Sequence, residues 1–122
     1  MIFGRERRIR RHGEFVHAQR TGARVVLRNF VVLLSRRADA LPARLGLVVT
    51  RKVGNAVVRN RIKRLCREAF RRTRLFPAGA DVVVIARDSV VGLRDVDVIA
   101  EWTQAQPRFA KTLATIPLPT AP

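Results

Sequence analysis

The chain has 122 residues, and its 25 Lys and Arg against 9 Asp and Glu give a formal net charge of +16. This length fits one small domain, and 48% hydrophobic residues suffice for a core, which excludes a wholly disordered basic tail. No run of about 20 apolar residues exists, so a membrane span is excluded, and a single cysteine excludes an intramolecular disulfide framework. We expect a cytoplasmic protein with a polyanionic partner, nucleic acid ahead of an acidic membrane surface.

The positive charge is unevenly distributed along the chain. Residues 1–74 carry 21 basic and 4 acidic side chains, a net of +17, whereas residues 75–122 carry 4 basic and 5 acidic ones, a net of −1. Of the 25 basic residues, 22 are Arg, whose planar guanidinium binds phosphate in a bidentate way and stacks on bases. Both observations favour nucleic acid as the partner of the first three-fifths of the chain.

The N-terminal third is predicted to contain an arm, a helix and the first strands. Residues 1–11 form a basic arm, and residues 12–20 suit a short helix that ends at Gly22. Residues 24–35 are rich in β-branched and aliphatic side chains, which is typical of one or two strands. Residues 36–43 then form a loop around a proline.

The middle of the chain has the strongest periodicity. A strand is predicted over 44–50 and a second one, buried on both faces, over the apolar run 81–87. Between them, residues 57–74 have the spacing of an amphipathic helix. Its apolar positions are Val58, Ile62, Leu65, Cys66, Ala69 and Phe70.

The C-terminal part is predicted to hold one more helix and a tail. Apolar residues fall at helical spacing over 93–105, with Asp95 and Asp97 near the start, where the helix dipole favours acids. Four prolines lie in 107–122, which predicts a frayed or extended tail, so that the domain spans 1–106. The element order indicates a mixed α/β or α+β domain, and general rules predict a right-handed strand–helix–strand crossover.

The helix predicted over 57–74 also carries a cationic stripe. Several cations on one helix face repel one another, and only Glu68 offers local relief. A solvated basic face is the ordinary alternative, but this density of charge, extended through Arg51 and Lys52, favours contact with phosphates. The stripe and its flanks comprise Arg59, Asn60, Arg61, Lys63, Arg64, Arg67, Arg71 and Arg72.

The residues around the start of this helix have structural and functional interpretations. Asn55 suits a turn or an N-cap, and Gly54 is expected to supply a positive φ in the turn. Asn60 lies among cations, where its amide could bond to a base edge or a ribose. On the strand before, alternation directs Leu45, Leu47 and Val49 toward the core. The other face would hold Gly46, Val48, Thr50 and Lys52, either as the floor of a groove for a sugar–phosphate strand or as an ordinary half-solvated sheet.

These residues carry a family resemblance. The segment RLGLVVTRKVGNAVVRNRIKRLCREAFRR, residues 44–72, closely resembles the signature region of the bacterial ribonuclease P protein component. The family pattern has a strand, then GNAV, here at 54–57, and then a helix of R-N-x-x-K-R-x-x-R-E form, here at 59–68. The resemblance extends more weakly over residues 5–90.

The resemblance implies a small basic subunit of an RNA-based endonuclease. Its RNA subunit, with bound Mg²⁺, cleaves precursor tRNA to give the mature 5′ end, and the protein supplies no catalytic group and holds no metal of its own. The implied fold is an αβββαβα sandwich like a ribosomal-protein domain, with a left-handed crossover that contradicts the general rule. The protein alone is expected to be monomeric and without a membrane partner.

The resemblance also implies two RNA-binding regions. The single-stranded 5′ leader of precursor tRNA is expected in a cleft formed by Phe15, Val48, Thr50 and Lys52. The family often has aromatic residues where this chain has Gln19 and Leu33, which removes two stacking platforms. Contacts with the catalytic RNA are expected from Arg51, Asn55, Arg59, Asn60, Arg61, Lys63, Arg64, Arg67 and Arg71.

Two other functions share some of these features. A ribosomal or assembly protein of similar fold has the same charge and helix but would associate with ribosomal RNA. A DNA-binding protein could read the major groove with helix 57–74, although the apolar side of that helix fits burial against a sheet. His12 and His17 lack a metal-binding pattern, and Cys66 lies on the apolar helix face, where we expect an inert packing residue.

Overall fold

The computed structural model describes residues 23–118. The elements, in chain order, are β1 (Ala23–Val26), β2 (Phe30–Arg36), β3 (Arg44–Val48), α1 (Ala56–Thr73), β4 (Ala80–Ala86), a 3₁₀ turn (Asp88–Val90) and α2 (Asp95–Thr115). The predicted strand region 24–35 is therefore two strands. The arm predicted over 1–11 and the helix predicted over 12–20, with Phe15 and Gln19, lie outside the described residues.

The four strands form one sheet in the order β1-β2-β4-β3. The β1–β2 and β2–β4 pairs are antiparallel, and β3 pairs with β4 in parallel. α1 connects the two parallel strands, and β2, which comes earlier in the chain, adds the antiparallel neighbour of β4. The α+β class is thus confirmed, while the handedness of the β3–α1–β4 crossover stays a prediction.

Both helices pack against one face of the sheet. Alternate residues of β2 and β4 point into this core, and Trp102 of α2 meets Phe30 edge-on, with ring centroids 5.7 Å apart. Phe70 of α1 is buried in the same cluster. Burying side chains of this size stabilises the fold by about 1.5–3 kcal/mol each, so the core, rather than helix propensity, holds the two helices in place.

The opposite sheet face has a smaller apolar cluster of its own. Leu33 and Val83 are 4% and 0% exposed, with Val31, Val48 and Ile85 packed against them. This second cluster explains why β4 is apolar at every position except Asp81, because its side chains are buried on both faces. The prediction made for residues 81–87 is confirmed.

The start of α1 differs in one respect from the sequence prediction. Asn55 is the N-cap, and its Oδ1 accepts a 3.0 Å hydrogen bond from the Val58 N–H. Gly54, however, does not have a positive φ, so that expectation is wrong. Glycine is favoured at position 54 for a steric reason, because a Cβ there would lie 2.9 Å from the Val58 Cβ.

β3 ends two residues earlier than predicted. It stops at Val48, and Val49 turns into the helix-side core. The Val53 N–H then donates a 3.0 Å bond to the Thr50 carbonyl, which closes a turn. Thr50 and Lys52 are therefore exposed turn residues, and the strand alternation predicted through them is wrong.

The prediction of a frayed or extended tail from Pro107 is also wrong. α2 continues through Pro107 to Thr115, and its last buried residues are Phe109 and Leu113. An interior proline removes a backbone hydrogen bond and costs a helix about 3 kcal/mol. Pro107 itself lies on the exposed side of the helix, and the burial of Phe109 and Leu113 beyond it offsets that cost.

A buried carboxylate fastens the loop between β2 and β3. Asp81, at the start of β4, is 7% exposed, and its oxygens accept bonds from Arg37 at 2.6 Å and Arg44 at 2.8 Å. Arg37 also donates to the carbonyls of Leu41 and Pro42. Within the loop, Asp39 also pairs with Arg37, at 3.0 Å, so the buried Asp81 and the more exposed Asp39 together order the loop around the two cations.

Candidate nucleic-acid interface

α1 presents a continuous cationic surface on the side away from the sheet. Its buried residues occupy one face of the helix, and the basic residues follow an arc from the edge of the core to full exposure. We define the cationic surface by Arg59, Asn60, Lys63, Arg64 and Arg67. Asn60 and Arg64 are exposed, and the other three are half-buried. Long cationic side chains of this kind pack their aliphatic part against the protein and keep the charged group in water.

Arg59 has an unusual environment at the buried edge of this surface. Its Nε atom is buried and makes no hydrogen bond to any residue in the described range 23–118. A buried donor without a partner costs about 1–3 kcal/mol. The Nε itself is shielded from solvent, so a bound molecule could contact only the accessible remainder of this half-buried side chain.

Arg61 lies on the other flank of α1. Its Nη2 donates a 2.6 Å bond to the Leu93 carbonyl, in the segment that precedes α2. This bond ties the first half of α1 to the start of α2. Arg61 therefore has an intramolecular partner, although it lines the same surface depression as Arg64 and Glu68.

The last turn of α1 is partly neutralised. Glu68 accepts a short hydrogen bond from Arg71 and lies 3.5 Å from Arg72. The hydrogen bond from Arg71 lowers the pKa of the Glu68 carboxyl and raises the pKa of Arg71 itself. Arg72 also approaches Asp95 of α2, at 3.8 Å. Arg71, predicted to bind RNA, therefore belongs to an ion-pair group.

The turn before α1 extends the cationic surface. Arg51 and Lys52 are exposed there, just before the N-cap Asn55. The Asn55 Oδ1 accepts the Val58 N–H, and its amide nitrogen can still donate to a ligand. Asn55 thus has the structural role predicted for it, and any RNA contact would be additional.

The second sheet face contains the remaining predicted cleft residues. Strand register aligns Gly46, Val83 and Leu33 in one row, and Val48, Ile85 and Val31 in the next. Val48 therefore lies on this face, whereas Thr50 and Lys52 lie in the turn beyond its edge. Leu33, Val31, Val83 and Ile85 were not predicted as site residues, although period-2 alternation in β2 and β4 indicates a shared face.

Arg24 of β1 gives this apolar face a cation. It is exposed, and its register partner on β2 is Leu33, so both side chains project from the same side of the sheet. The face therefore has an apolar floor with Arg24 at one side and Lys52 near the other. This arrangement suits a strand that presents both bases and phosphates.

Other chemistry finds little support among the described residues. Burial raises the pKa of the Cys66 thiol to about 12, so it stays protonated and inert, as predicted. Within residues 23–118, no group of three or more His, Cys, Asp or Glu side chains could hold a metal ion. Neither described helix combines the length and hydropathy that a membrane crossing needs.

Comparison with known proteins decides the family. A family model described as Ribonuclease P matches residues 3–110. This chain belongs to the ribonuclease P protein family. The ribonuclease P protein component of Syntrophus aciditrophicus is 40% identical over 95 residues, which cover 77% of this chain and 79% of that protein. The component from Desulfovibrio desulfuricans is 47% identical over 88 residues, with 70% and 68% covered.

The solved structure of the Staphylococcus aureus RNase P protein has the same fold. It matches with a TM-score of 0.76 and 31% identity, over 88% of this chain and 97% of that one. The family predicted from residues 44–72 is therefore confirmed, and so is a role as the protein component of bacterial ribonuclease P. Membership of that family implies association with ribonuclease P RNA.

Proposed function

We propose that this ribonuclease P protein binds the RNA subunit through the cationic surface of α1 and the 5′ leader of precursor tRNA through the second sheet face. Removal of the leader then gives the mature 5′ end of the tRNA. The observation that carries this proposal is the cationic surface, a dense group of basic residues on the one helix side that is turned away from the sheet.

The charges around α1 support this division of roles. Glu68 is the only acidic residue in the helix, and it lies at the C-terminal end beside Arg71 and Arg72. No carboxylate of residues 23–118 forms an ion pair with Arg59, Lys63 or Arg64. Phosphates of a folded RNA would supply the missing negative charge and release counterions.

The apolar second face supports leader binding of a sequence-tolerant kind. The half-buried Val31, Val48 and Ile85 offer apolar contact to bases, and Arg24 and Lys52 offer charge to the backbone. Base stacking on an aromatic ring is worth about 1–3 kcal/mol per base, and Leu33 cannot provide it. We therefore expect Phe15, with the apolar and cationic side chains, to account for most of the leader contact.

We propose that the chemistry belongs to the RNA subunit with Mg²⁺. The most buried carboxylate of the described residues, Asp81, is saturated by Arg37 and Arg44, and Glu101 accepts a 2.9 Å bond from the Asn29 N–H. Both groups are thereby poor candidates for Mg²⁺ ligands. In this proposal the protein is a cytoplasmic monomer that raises substrate affinity.

Reconstitution tests the proposal. Ribonuclease P RNA is assayed for precursor-tRNA cleavage at low Mg²⁺, with no protein, with this protein, and with its Arg64→Ala and Arg108→Ala variants. We expect the protein to stimulate cleavage, Arg64→Ala to need about tenfold more protein, and Arg108→Ala, an exposed α2 cation removed as a control, to match the unmodified chain. Cleavage that the protein does not stimulate would contradict the proposal.

The leader contact has its own test. Phe15→Ala is expected to weaken binding of precursor tRNA to the reconstituted enzyme by about tenfold and to leave binding of mature tRNA unchanged, because only the precursor carries a leader. Equal losses for both RNAs would assign Phe15 to the protein core or to the tRNA body instead.

A further inference from the structure

A cavity lies at the end of α1 far from the cationic surface. Its volume is about 530 Å³, within the range of about 300–1,000 Å³ that small-molecule sites occupy. It is formed where the end of α1 meets the second half of α2 and the start of β4. Its apolar wall is made of Leu75, Phe76, Pro77, Ala110, Leu113 and Ala114.

Two guanidinium groups and an amide complete the lining. Arg36 at the end of β2, Arg74 at the C-cap of α1 and Gln106 of α2 all border the cavity. None of the residues between 23 and 118 that border it is acidic. Arg36 is held in place because its Nη1 donates a 3.1 Å bond to the Ile116 carbonyl. The cavity thus combines an apolar interior with fixed positive charge at its border.

Arg74 occupies a backbone conformation that its residue type disfavours. It has φ 48 and ψ 42, the left-handed region, and it is the one non-glycine residue of the described chain with a positive φ. Helices commonly end in this conformation with glycine, since other residues are strained there. Arg74 makes no ion pair or side-chain hydrogen bond with residues 23–118. The fold therefore accepts strain to hold a guanidinium at the cavity without an internal partner.

Phe76 provides a rigid aromatic wall. Its ring stacks on Phe70, with centroids 5.8 Å apart and an angle of 20°, and tilts against Phe109 at 5.0 Å. These two contacts fix the ring while the residue remains half-buried beside the cavity. A planar ligand could contact this side chain without any rearrangement of the core.

We propose that this cavity binds a nucleotide, with the base against Phe76 and Pro77 and the phosphate between Arg74 and Arg36. An apolar slot with an aromatic wall suits a base, whose faces stack irrespective of sequence. Two guanidiniums suit a phosphate, which they bind by charge-assisted and bidentate bonds. Gln106 can both donate to and accept from a base edge.

This site is separate from the surfaces of the proposed function. Seven residues, or about 10 Å of helix, separate Arg67, the last residue of the cationic surface, from Arg74, and the cavity lies on the helix side of the sheet. A nucleotide bound here would belong to an RNA segment that reaches the opposite end of α1. The nucleotide site can be tested with a free nucleotide, whereas the proposed function is tested with ribonuclease P RNA. Failure of one proposal is therefore distinguishable from failure of the other.

The test is an NMR titration of the full chain with adenosine 5′-monophosphate. Adenosine and ribose 5-phosphate serve as probes that lack the phosphate and the base, respectively. We expect saturable changes in the signals of Ala78, Ala110 and Ala114, and at least tenfold weaker binding of either partial probe. Changes confined to the cationic surface, or equal binding of ribose 5-phosphate, would overturn the proposal.

Three variants separate binding from folding. Arg74→Gly is expected to weaken binding about tenfold while the Tm stays equal or rises by about 3 °C, because glycine prefers this backbone conformation. Ala110→Trp fills the cavity without a change of charge and should abolish saturable binding. Arg108→Ala removes one positive charge outside the cavity and should change affinity less than about twofold.

The outcomes are distinct. Weaker binding of adenosine 5′-monophosphate by Arg74→Gly, with unchanged binding by Arg108→Ala, supports the nucleotide site. Equal losses in both variants would show a general charge effect and would overturn it, as would full binding to a folded Ala110→Trp protein. Should Ala110→Trp fail to fold, Arg74→Gly decides the matter, since it relieves strain and leaves the core unchanged.

Discussion

The arginines around Asp81 form ion pairs within the fold, whereas the basic residues of the cationic surface face away from the sheet. Arg37 and Arg44 converge on one buried carboxylate and order a loop. On α1, basic residues line a surface away from the sheet, where the single acidic residue of the helix lies at its far end. The difference shows that the net charge of +16 is no measure of binding capacity, because part of the Arg content holds the fold together.

The same contrast exists within α1 itself. The flank that faces α2 fixes its cations, Arg61 on the Leu93 carbonyl and Arg72 near Glu68 and Asp95. Arg59, whose buried Nε has no partner among residues 23–118, lies away from this flank, and the exposed Arg64 borders the flank beside Arg61. The neighbours of α1 thus engage some of its cations in the fold and leave others without an ion pair.

The largest effect on stability is expected at Asp81. Asp81→Asn removes the buried carboxylate that two partly buried guanidiniums share and leaves Asp39 as the exposed partner of Arg37, which should lower the free energy of unfolding by about 3 kcal/mol. Urea denaturation followed by circular dichroism measures this change. Asp88→Asn, at an exposed acid, is the matched control and should stay within about 0.5 kcal/mol. A similar small change at Asp81 would contradict the structural role of the cluster.

Arg64 should show the reverse behaviour. Arg64→Ala is expected to lower affinity for ribonuclease P RNA about tenfold and to reduce the slope of log affinity against log salt by about 0.7–0.9 for a lost phosphate contact. Its free energy of unfolding should change by less than about 0.5 kcal/mol. Filter binding at several salt concentrations, with parallel denaturation, measures both. A variant that unfolds would assign Arg64 to the structural group.

Arg61 tests the division within α1. Arg61→Ala removes the bond to the Leu93 carbonyl and should cost about 1 kcal/mol of stability, with a smaller loss of RNA affinity than Arg64→Ala. Both quantities come from the same two assays. An RNA affinity that falls further than in Arg64→Ala, at unchanged stability, would place Arg61 on the binding side.

The smallest effect concerns pH. Because the hydrogen bond from Arg71 lowers the pKa of Glu68 in the folded state, acidification favours the unfolded state, which binds the proton more readily. The stabilisation by Glu68 is present above the ordinary carboxyl pKa of 4.5 and is lost as the pH falls below it. The stability difference between the unmodified chain and Glu68→Gln should therefore shrink below about pH 4.5. A difference independent of pH would contradict this pairing.

Local patterns predicted much of this molecule. The bounds of α1 agree within one residue with those predicted, because apolar periodicity and the Asn55 cap both belong to the segment itself. The buried character of β4 followed from its continuous apolar run. The extension of α2 past Pro107 was missed, since the proline penalty is local and the burial of Phe109 and Leu113 depends on the completed core.

The partners of individual arginines could not be predicted in the same way. Asp81 reaches Arg44 only because β3 and β4 pair in a particular register, and Arg61 reaches Leu93 only because α1 and α2 lie side by side. A sequence motif therefore identified the cationic helix but not which of its cations are engaged by the fold. The need for glycine at position 54 could not be predicted either, because it depends on the close approach of Val58.

The central claim is that the cationic surface of α1 binds ribonuclease P RNA. Crosslinking in cells, followed by recovery of the chain and sequencing of the bound RNA, tests it most directly, with Arg64→Ala and Arg108→Ala compared in parallel. We expect ribonuclease P RNA to be recovered with the unmodified chain and with Arg108→Ala, and its recovery to fall strongly with Arg64→Ala. Recovery of ribosomal RNA without ribonuclease P RNA, or equal recovery from all three proteins, would contradict it.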